Sequence, residues 1–179
     1  MRRVFLFAGL AVLLAAFLSG CARVSIQPGD VSGGESRYDD AGIKTSITSA
    51  LLKKDAAKAN GVNVHCFNGH VFLIGEADKD FRAVALEEAN KAAGVVHVTT
   101  HWFPIGTASG VEDAAVESEI NLLPLFTADI STRRVAADVW GGHVVLTGIV
   151  AKQADINDAV TRIKKIKQVR SVTSYLALN

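Results

Sequence analysis

Apolar and polar positions alternate along this chain in two rhythms, and the change from one rhythm to the other marks its elements. After Asp39 and Asp40, either of which can cap a helix, Ile43, Ile47, Ala50 and Leu51 recur at helical spacing. Val62–Phe67 and His70–Gly75 then read as two strands. Between them Asn68-Gly69 is the strongest short hairpin signal, because both residues accept positive φ. Helical spacing returns over Lys79–Ala93, where Phe81, Val84, Ala85 and Ala89 form one stripe and Gly94 can cap the end. Val95–Trp102 reads as a third strand.

The same series then repeats. Asn68-Gly69-His70-Val71-Phe72-Leu73-Ile74-Gly75 aligns with Gly141-Gly142-His143-Val144-Val145-Leu146-Thr147-Gly148 at an offset of 73 residues. At that offset Asp40, Ile43, Ile47 and Val62 match Asp113, Val116, Ile120 and Val135. Ala85, Val95 and Val98 match Ala159, Val169 and Val172 at 74, so one residue is gained at the second helix. The second copy predicts strands Val135–Trp140 and His143–Val150, a helix over Gln153–Lys167 with Ile156, Ala159, Val160 and Ile163 inward, and a strand Val169–Leu176. The expected fold class is α+β. It has two tandem small units, each helix-strand-strand-helix-strand, with a three-stranded mixed sheet and helices on one face. Units of roughly 65–70 residues bury little core alone, so the two are expected to pack together.

The N-terminus follows neither rhythm. Met1-Arg2-Arg3 precedes an apolar run, Val4–Leu18, with the charged and hydrophobic regions of an export signal. At 1.5 Å per residue the run spans about 22 Å, short of the roughly 30 Å a transmembrane helix must cross. It ends in Leu18-Ser19-Gly20-Cys21, which resembles the bacterial lipobox. That resemblance implies cleavage after residue 20 and acylation of Cys21, and Ala22, not being Asp, implies outer-membrane sorting. Two or more acyl chains anchor stably where one would not. Residues 22–38, with Pro28, Gly29, Gly33, Gly34 and three serines, show no period and read as a flexible tether. The formal charge of +1 comes from Arg2 and Arg3; without them 17 basic residues face 18 acidic ones, which gives no electrostatic footprint for nucleic acid.

Two features shared by both units carry a family resemblance: the acidic helix start, and the Val-x-Leu-x-Gly strand that follows the hairpin glycine (Gly69 and Gly75; Gly142 and Gly148). With the late valine pair, these resemble the BON domain of bacterial osmotic-stress and nodulation proteins. The resemblance spans 39–104 and 111–179, with 105–110 as linker. Two copies behind a lipobox look like dual-BON outer-membrane lipoproteins, which implies phospholipid binding, envelope integrity and stress tolerance rather than a reaction. The second unit departs from the pattern at Leu122-Leu123-Pro124-Leu125-Phe126, which breaks its first helix early, and at Gln168, which replaces Gly94.

No nucleophile elbow, Walker loop, dinucleotide fingerprint or HExxH motif is present, so no catalytic residue, metal ligand, cofactor or small-molecule substrate is assigned. Cys66 shares a face with Val62 and Val64 and reads as a buried small hydrophobe. His65, His97 and His101 alternate onto the opposite side, a solvated or interface face. Two surfaces suit membrane contact. One is the densest positive run, Arg162, Lys164, Lys165, Lys167 and Arg170, expected at the end of the last helix; each cation near an anionic bilayer contributes about 1 kcal/mol. The other is the apolar pair Leu125 and Phe126, beside a helix whose Glu112, Asp113, Glu117 and Glu119 would repel anionic lipid. Solvation of the cations and core packing of the apolar pair are the bland readings of both. The favoured function is a lipid-anchored, periplasm-facing protein that docks on membrane phospholipid. The alternative is a scaffold recruiting envelope-assembly or murein-remodelling factors through an open sheet face near Phe67, Phe72 and Ile74.

Overall fold

The computed structural model describes residues 39–123 and 134–178; the export signal, Cys21, the tether, Leu125 and Phe126 lie outside the described residues. Helix α1 (Asp40–Lys54) is capped by Asp39, whose side chain accepts from the Gly42 amide at 2.9 Å. Its Ile43, Ile47 and Leu51, one turn apart, are buried. Asp55 ends α1 in extended backbone, and its carboxylate accepts from the Ala57 and Lys58 amides at 3.0 and 3.1 Å. That cap starts a one-turn helix, α2 (Ala56–Ala59), which apolar spacing alone does not separate from α1.

Strands β1 (Val62–Phe67) and β2 (His70–Glu76) pair antiparallel around Asn68 and Gly69, at φ 53° and 75°. Helix α3 (Lys79–Lys91), capped by Asp78, returns the chain so that β3 (His97–Phe103) lies parallel to β2. The sheet order β1-β2-β3 is therefore mixed. Val62, Val64, Cys66, Val71 and Leu73 pack with Ile43, Ile47, Leu51, Phe81, Ala85 and Ala89, which places the helices on one face. The second unit repeats the plan with α4 (Gly110–Asn121), β4 (Val135–Trp140), β5 (His143–Val150), α5 (Gln153–Ile163) and β6 (Ser171–Leu178), in sheet order β4-β5-β6. Val116, Ile120, Val139, Val144, Leu146, Ala159, Ile163 and Ile166 form its core.

Both second helices stop earlier than their apolar spacing predicts. Helix α3 ends at Lys91 rather than Ala93, and α5 at Ile163 rather than Lys167. Beyond Ile163 the chain tightens into three-residue turns: the Lys165 and Ile166 amides reach the carbonyls of Arg162 and Ile163 at 3.0 and 3.1 Å. Those turns still bring Ile166 onto the buried face, so the hydrophobic stripe outlasts the helix. Val95 and Val169 likewise sit in turns, and β3 and β6 run on to Phe103 and Leu178.

The faces without helices meet each other. Phe72, Ile74 and Phe103 from the first sheet and Val145 from the second form a third buried cluster, flanked by Phe67, Trp140 and Tyr175. Matching positions of the repeat come into direct contact there. His65 touches Asp138, 73 residues on, and His101 touches Tyr175, 74 residues on. Equivalent residues meet in this way across a two-fold relation, the arrangement of an isologous interface, here within one chain.

Candidate docking surface

A carboxylate in the first turn of each unit's first helix fixes where that helix sits. Asp40 accepts the Asn68 and Gly69 amides, both at 2.8 Å. Asp113 accepts those of Gly141 and Gly142 at 2.8 and 2.9 Å, and that of Ser109 at 2.7 Å. The matching acidic helix starts are visible in the repeat; their grip on the hairpin amides is not. Asp40 also accepts from the Cys66 thiol at 3.3 Å, and burial with this carboxylate pushes that thiol up to about 12. Arg134, just ahead of β4, reaches Asn68 at 2.5 Å and Asp40 at 3.3 Å, and so joins the two units.

The Gly141-Gly142 turn holds α4, whose Glu119 shares a cleft with residues of α5 and of the turns after it. Arg162 is the only one of the five cations inside α5; Lys164 is its C-cap, and Lys165 and Lys167 follow in the turns. The early end of α5 divides the set between the last helical turn, the cap and the turns that follow. Arg162 and Lys165 line a cleft of about 490 Å³ with Glu119, Leu123, Asp158, Thr161 and Ile166. Arg162 is ion-paired with Asp158 at 2.7 Å, with both side chains nearly half exposed, so the pair contributes little stability and leaves the guanidinium accessible. Lys164 and Lys167 are exposed outside the cleft. Arg170 stands apart, beside the Gly141-Gly142 turn, where its amide donates to the Gly142 carbonyl at 2.8 Å. The cleft wall includes Leu123, the last described residue before the segment that contains Leu125 and Phe126, and neighbouring Leu122 is 76% exposed.

Helix α4 is less uniformly anionic than its sequence implies. Glu112 and Glu119 are exposed, Asp113 is buried on the hairpin, and Glu117 is partly buried. Burial pushes the Glu117 carboxyl above its usual range, helped by Asp138 and Asp113 and opposed by the Val139 amide. The repulsion that α4 offers to an anionic surface comes mainly from Glu112 and Glu119.

The open sheet face of the scaffold reading is closed. Phe72 and Ile74 are only 4% and 1% exposed, because the second sheet covers them. Polar contacts rim this interface: Asp138 accepts from Asn63 at 2.6 Å and lies 2.8 Å from His65 Nε2, while His101 Nδ1 and the Tyr175 hydroxyl are 3.0 Å apart. Of the three histidines expected on one face, His65 and His101 meet separate partners across the interface, and His97 stays exposed beside His70. Among the described residues no three His, Cys, Asp or Glu side chains are grouped to hold a metal. No helix among them is long and apolar enough to cross a membrane.

Comparison with known proteins agrees with this duplicated architecture. The family model described as the BON domain matches twice, over residues 39–101 and 112–179. The outer membrane lipoprotein DolP of Haemophilus influenzae is 28% identical over 185 residues, covering 93% of this chain and 95% of that protein. The osmotically-inducible protein Y of Escherichia coli is 30% identical over 147 residues, or 77% of this chain and 72% of its own length. An uncharacterized protein from the gshII 5′ region of Anaplasma centrale is 26% identical, covering 78% of this chain and 95% of its own.

Proposed function

The chain belongs to the BON-domain family, and from that premise we propose that it is a lipid-anchored binding protein of the bacterial envelope. In this reading Cys21 holds the chain at the outer membrane, facing the periplasm, and the tether of residues 22–38 keeps both units close to the bilayer. The second unit docks on phospholipid through the α4–α5 cleft and the turns after α5, and the docked protein supports the barrier under envelope stress. The observation that carries the reading is the accessible pairing of Arg162 and Lys165 with apolar Leu123 at one cleft, on a chain whose relatives include an outer membrane lipoprotein.

The energetics require no enclosed pocket. A tethered unit meets the surface at an effective concentration in the millimolar range, so contacts of about 1 kcal/mol per cation suffice to orient it. The Debye length of roughly 8 Å at physiological salt makes such docking salt-sensitive. No nucleic acid, cofactor or small-molecule substrate enters this function, and nothing in the cleft calls for an enzymatic step.

Vesicle flotation of residues 22–179, lacking acylation, tests the proposal. Anionic vesicles should float the protein at low salt and release it as salt rises, while zwitterionic vesicles float it weakly. Reversing the charge of Lys164 and Lys165 should abolish flotation. Phe126→Asp separates the second contribution, since loss of flotation at all salt concentrations would move the contact to the apolar segment. Failure to float on any vesicle, with recovery of a specific crosslinked envelope protein, would replace lipid docking by scaffolding.

A further inference from the structure

All five histidines of the chain lie on or around the interface between the two sheets. His65 meets Asp138 across it; His101 meets Tyr175 across it and lies within electrostatic reach of His143; His70 stands against His97 at its rim. The cross-interface histidines fall at two different edges. His65 and Asp138 belong to β1 and β4, whereas His101 and Tyr175 belong to β3 and β6, with His143 on the neighbouring β5. The two edges therefore differ in chemistry: one sets an imidazole against a carboxylate, the other sets one against a phenol. At the β1/β4 edge His65 Nε2 lies 2.8 Å from the buried Asp138 carboxylate, a polar contact that ties the two sheets together. At the β3/β6 edge His101 and His143 pack against the same Phe103 ring, at 4.8 and 6.1 Å between centroids, so a positive charge gained by His101 is confined in a partly buried, crowded contact with no carboxylate against it among the described residues.

We propose that the sheet–sheet interface is an acid-operated hinge, in which a charged His101, packed with His143 against Phe103, parts the β3/β6 edge while the contact of His65 with Asp138 holds the β1/β4 edge shut. The carboxylates of the packed elements contact groups other than His101 and His143. Asp138 on β4 is committed to Asn63 and His65. Glu76, at the end of β2, accepts the linker amides of Gly106 and Ala108 at 2.6 and 2.5 Å. Tyr175 on β6 offers His101 a hydroxyl at 3.0 Å. Arg170, ahead of β6, sits by the Gly141-Gly142 turn that precedes His143 and adds a further positive charge. His70 faces His97 within its own unit, so that repulsion does not act across the interface.

The direction of the pH dependence follows from the same contacts. Burial, and then His143, push His101 below its ordinary value, so the closed interface binds its proton less readily than the open one. The closed form is therefore favoured above about pH 6.5 and loses ground as the pH falls below it. Orphaned donors suit a face that parts: among the described residues the buried Trp140 Nε1 and Thr147 Oγ1, both on strands of this interface, have no hydrogen-bond partner.

Trp140 reports the opening, since its ring stacks with Phe103 of the other unit at 6.1 Å between centroids. In full-length protein carrying Trp102→Phe, acrylamide quenching of Trp140 should rise several-fold between about pH 7.5 and 5. Far-UV circular dichroism should stay constant, which separates opening from unfolding. His101→Gln with His143→Gln should abolish the rise, and His143→Gln alone should move it to lower pH. Asp138→Asn should move it to higher pH, and His97→Gln on the exposed rim should leave it in place. Quenching that is flat with pH in the otherwise wild-type protein, or a rise that survives the double histidine variant, would overturn the hinge.

Discussion

The carboxylate of Asp113 is predicted to be the most consequential polar group in the second unit. It is 6% exposed and accepts three backbone N–H groups, from Ser109, Gly141 and Gly142. The substitution Asp113→Ala leaves all three donors without this acceptor at once, and the two turn amides are buried. Each buried donor left without an acceptor costs about 1–3 kcal/mol, and losing the anion from the helix N-terminus adds about 0.5 kcal/mol, for a total of roughly 2.5–6.5 kcal/mol. A unit of this size has only about 3–10 kcal/mol in all, so the variant should lie at the edge of unfolding. Urea denaturation followed by circular dichroism, with residues 22–179, measures the loss; the melting temperature should fall by roughly 10 °C or more. Glu112→Ala is the control, because Glu112 is exposed on the same turn and, among the described residues, reaches only the Ser109 hydroxyl, at 3.3 Å. It should change stability by less than about 0.5 kcal/mol. A loss below about 1 kcal/mol for Asp113→Ala, or equal losses for both variants, would refute the hairpin clasp as the source of the stability.

Three further outcomes follow from particular contacts. Gly148 has φ 133°, and a Cβ there would stand 1.9 Å from the Arg134 carbonyl, so Gly148→Ala should cost more than about 3 kcal/mol in the same denaturation assay; a loss under about 1 kcal/mol would show that the strand can yield. The Cys66 thiol, pushed up to about 12, should react with a disulfide reagent at pH 8 on the order of 10³-fold more slowly than glutathione until the protein is denatured, and a rate near that of glutathione in the folded protein would contradict its burial against Asp40. If Cys21 carries the anchor, mass spectrometry of the mature protein should find acyl chains on its N-terminal cysteine, and Cys21→Ser should be recovered without membrane; a bare, membrane-free wild type would remove the tether from the proposal.

Much of the architecture is legible in the amino-acid sequence because it is encoded locally. Ile43, Ile47 and Leu51 at one-turn spacing, the Asn68-Gly69 and Gly141-Gly142 turns, and the 73-residue echo each depend on neighbours within one element or one unit. The same locality explains the misjudged ends. Ile166 continues the apolar stripe of α5 although its backbone has left the helix, so a periodicity in side chains does not reveal where Lys164 and Lys165 stop being helical. For the cations this matters: the positive run is contiguous in sequence but divided in space, with Arg162 and Lys165 at the cleft and Arg170 at the hairpin.

By itself, then, the sequence determined the duplicated order of helices and strands and which face of each strand turns toward its helices, since both follow from short-range pattern and turn chemistry. Only the tertiary structure decided what the other faces do. His65 with Asp138, and His101 with Tyr175, lie more than seventy residues apart, and Phe72 looks equally suited to an open surface or a closed one when seen along a single strand. Their pairing depends on how two complete sheets stack, an energy shared among many side chains of both units at once, and no stretch of either unit carries that information alone.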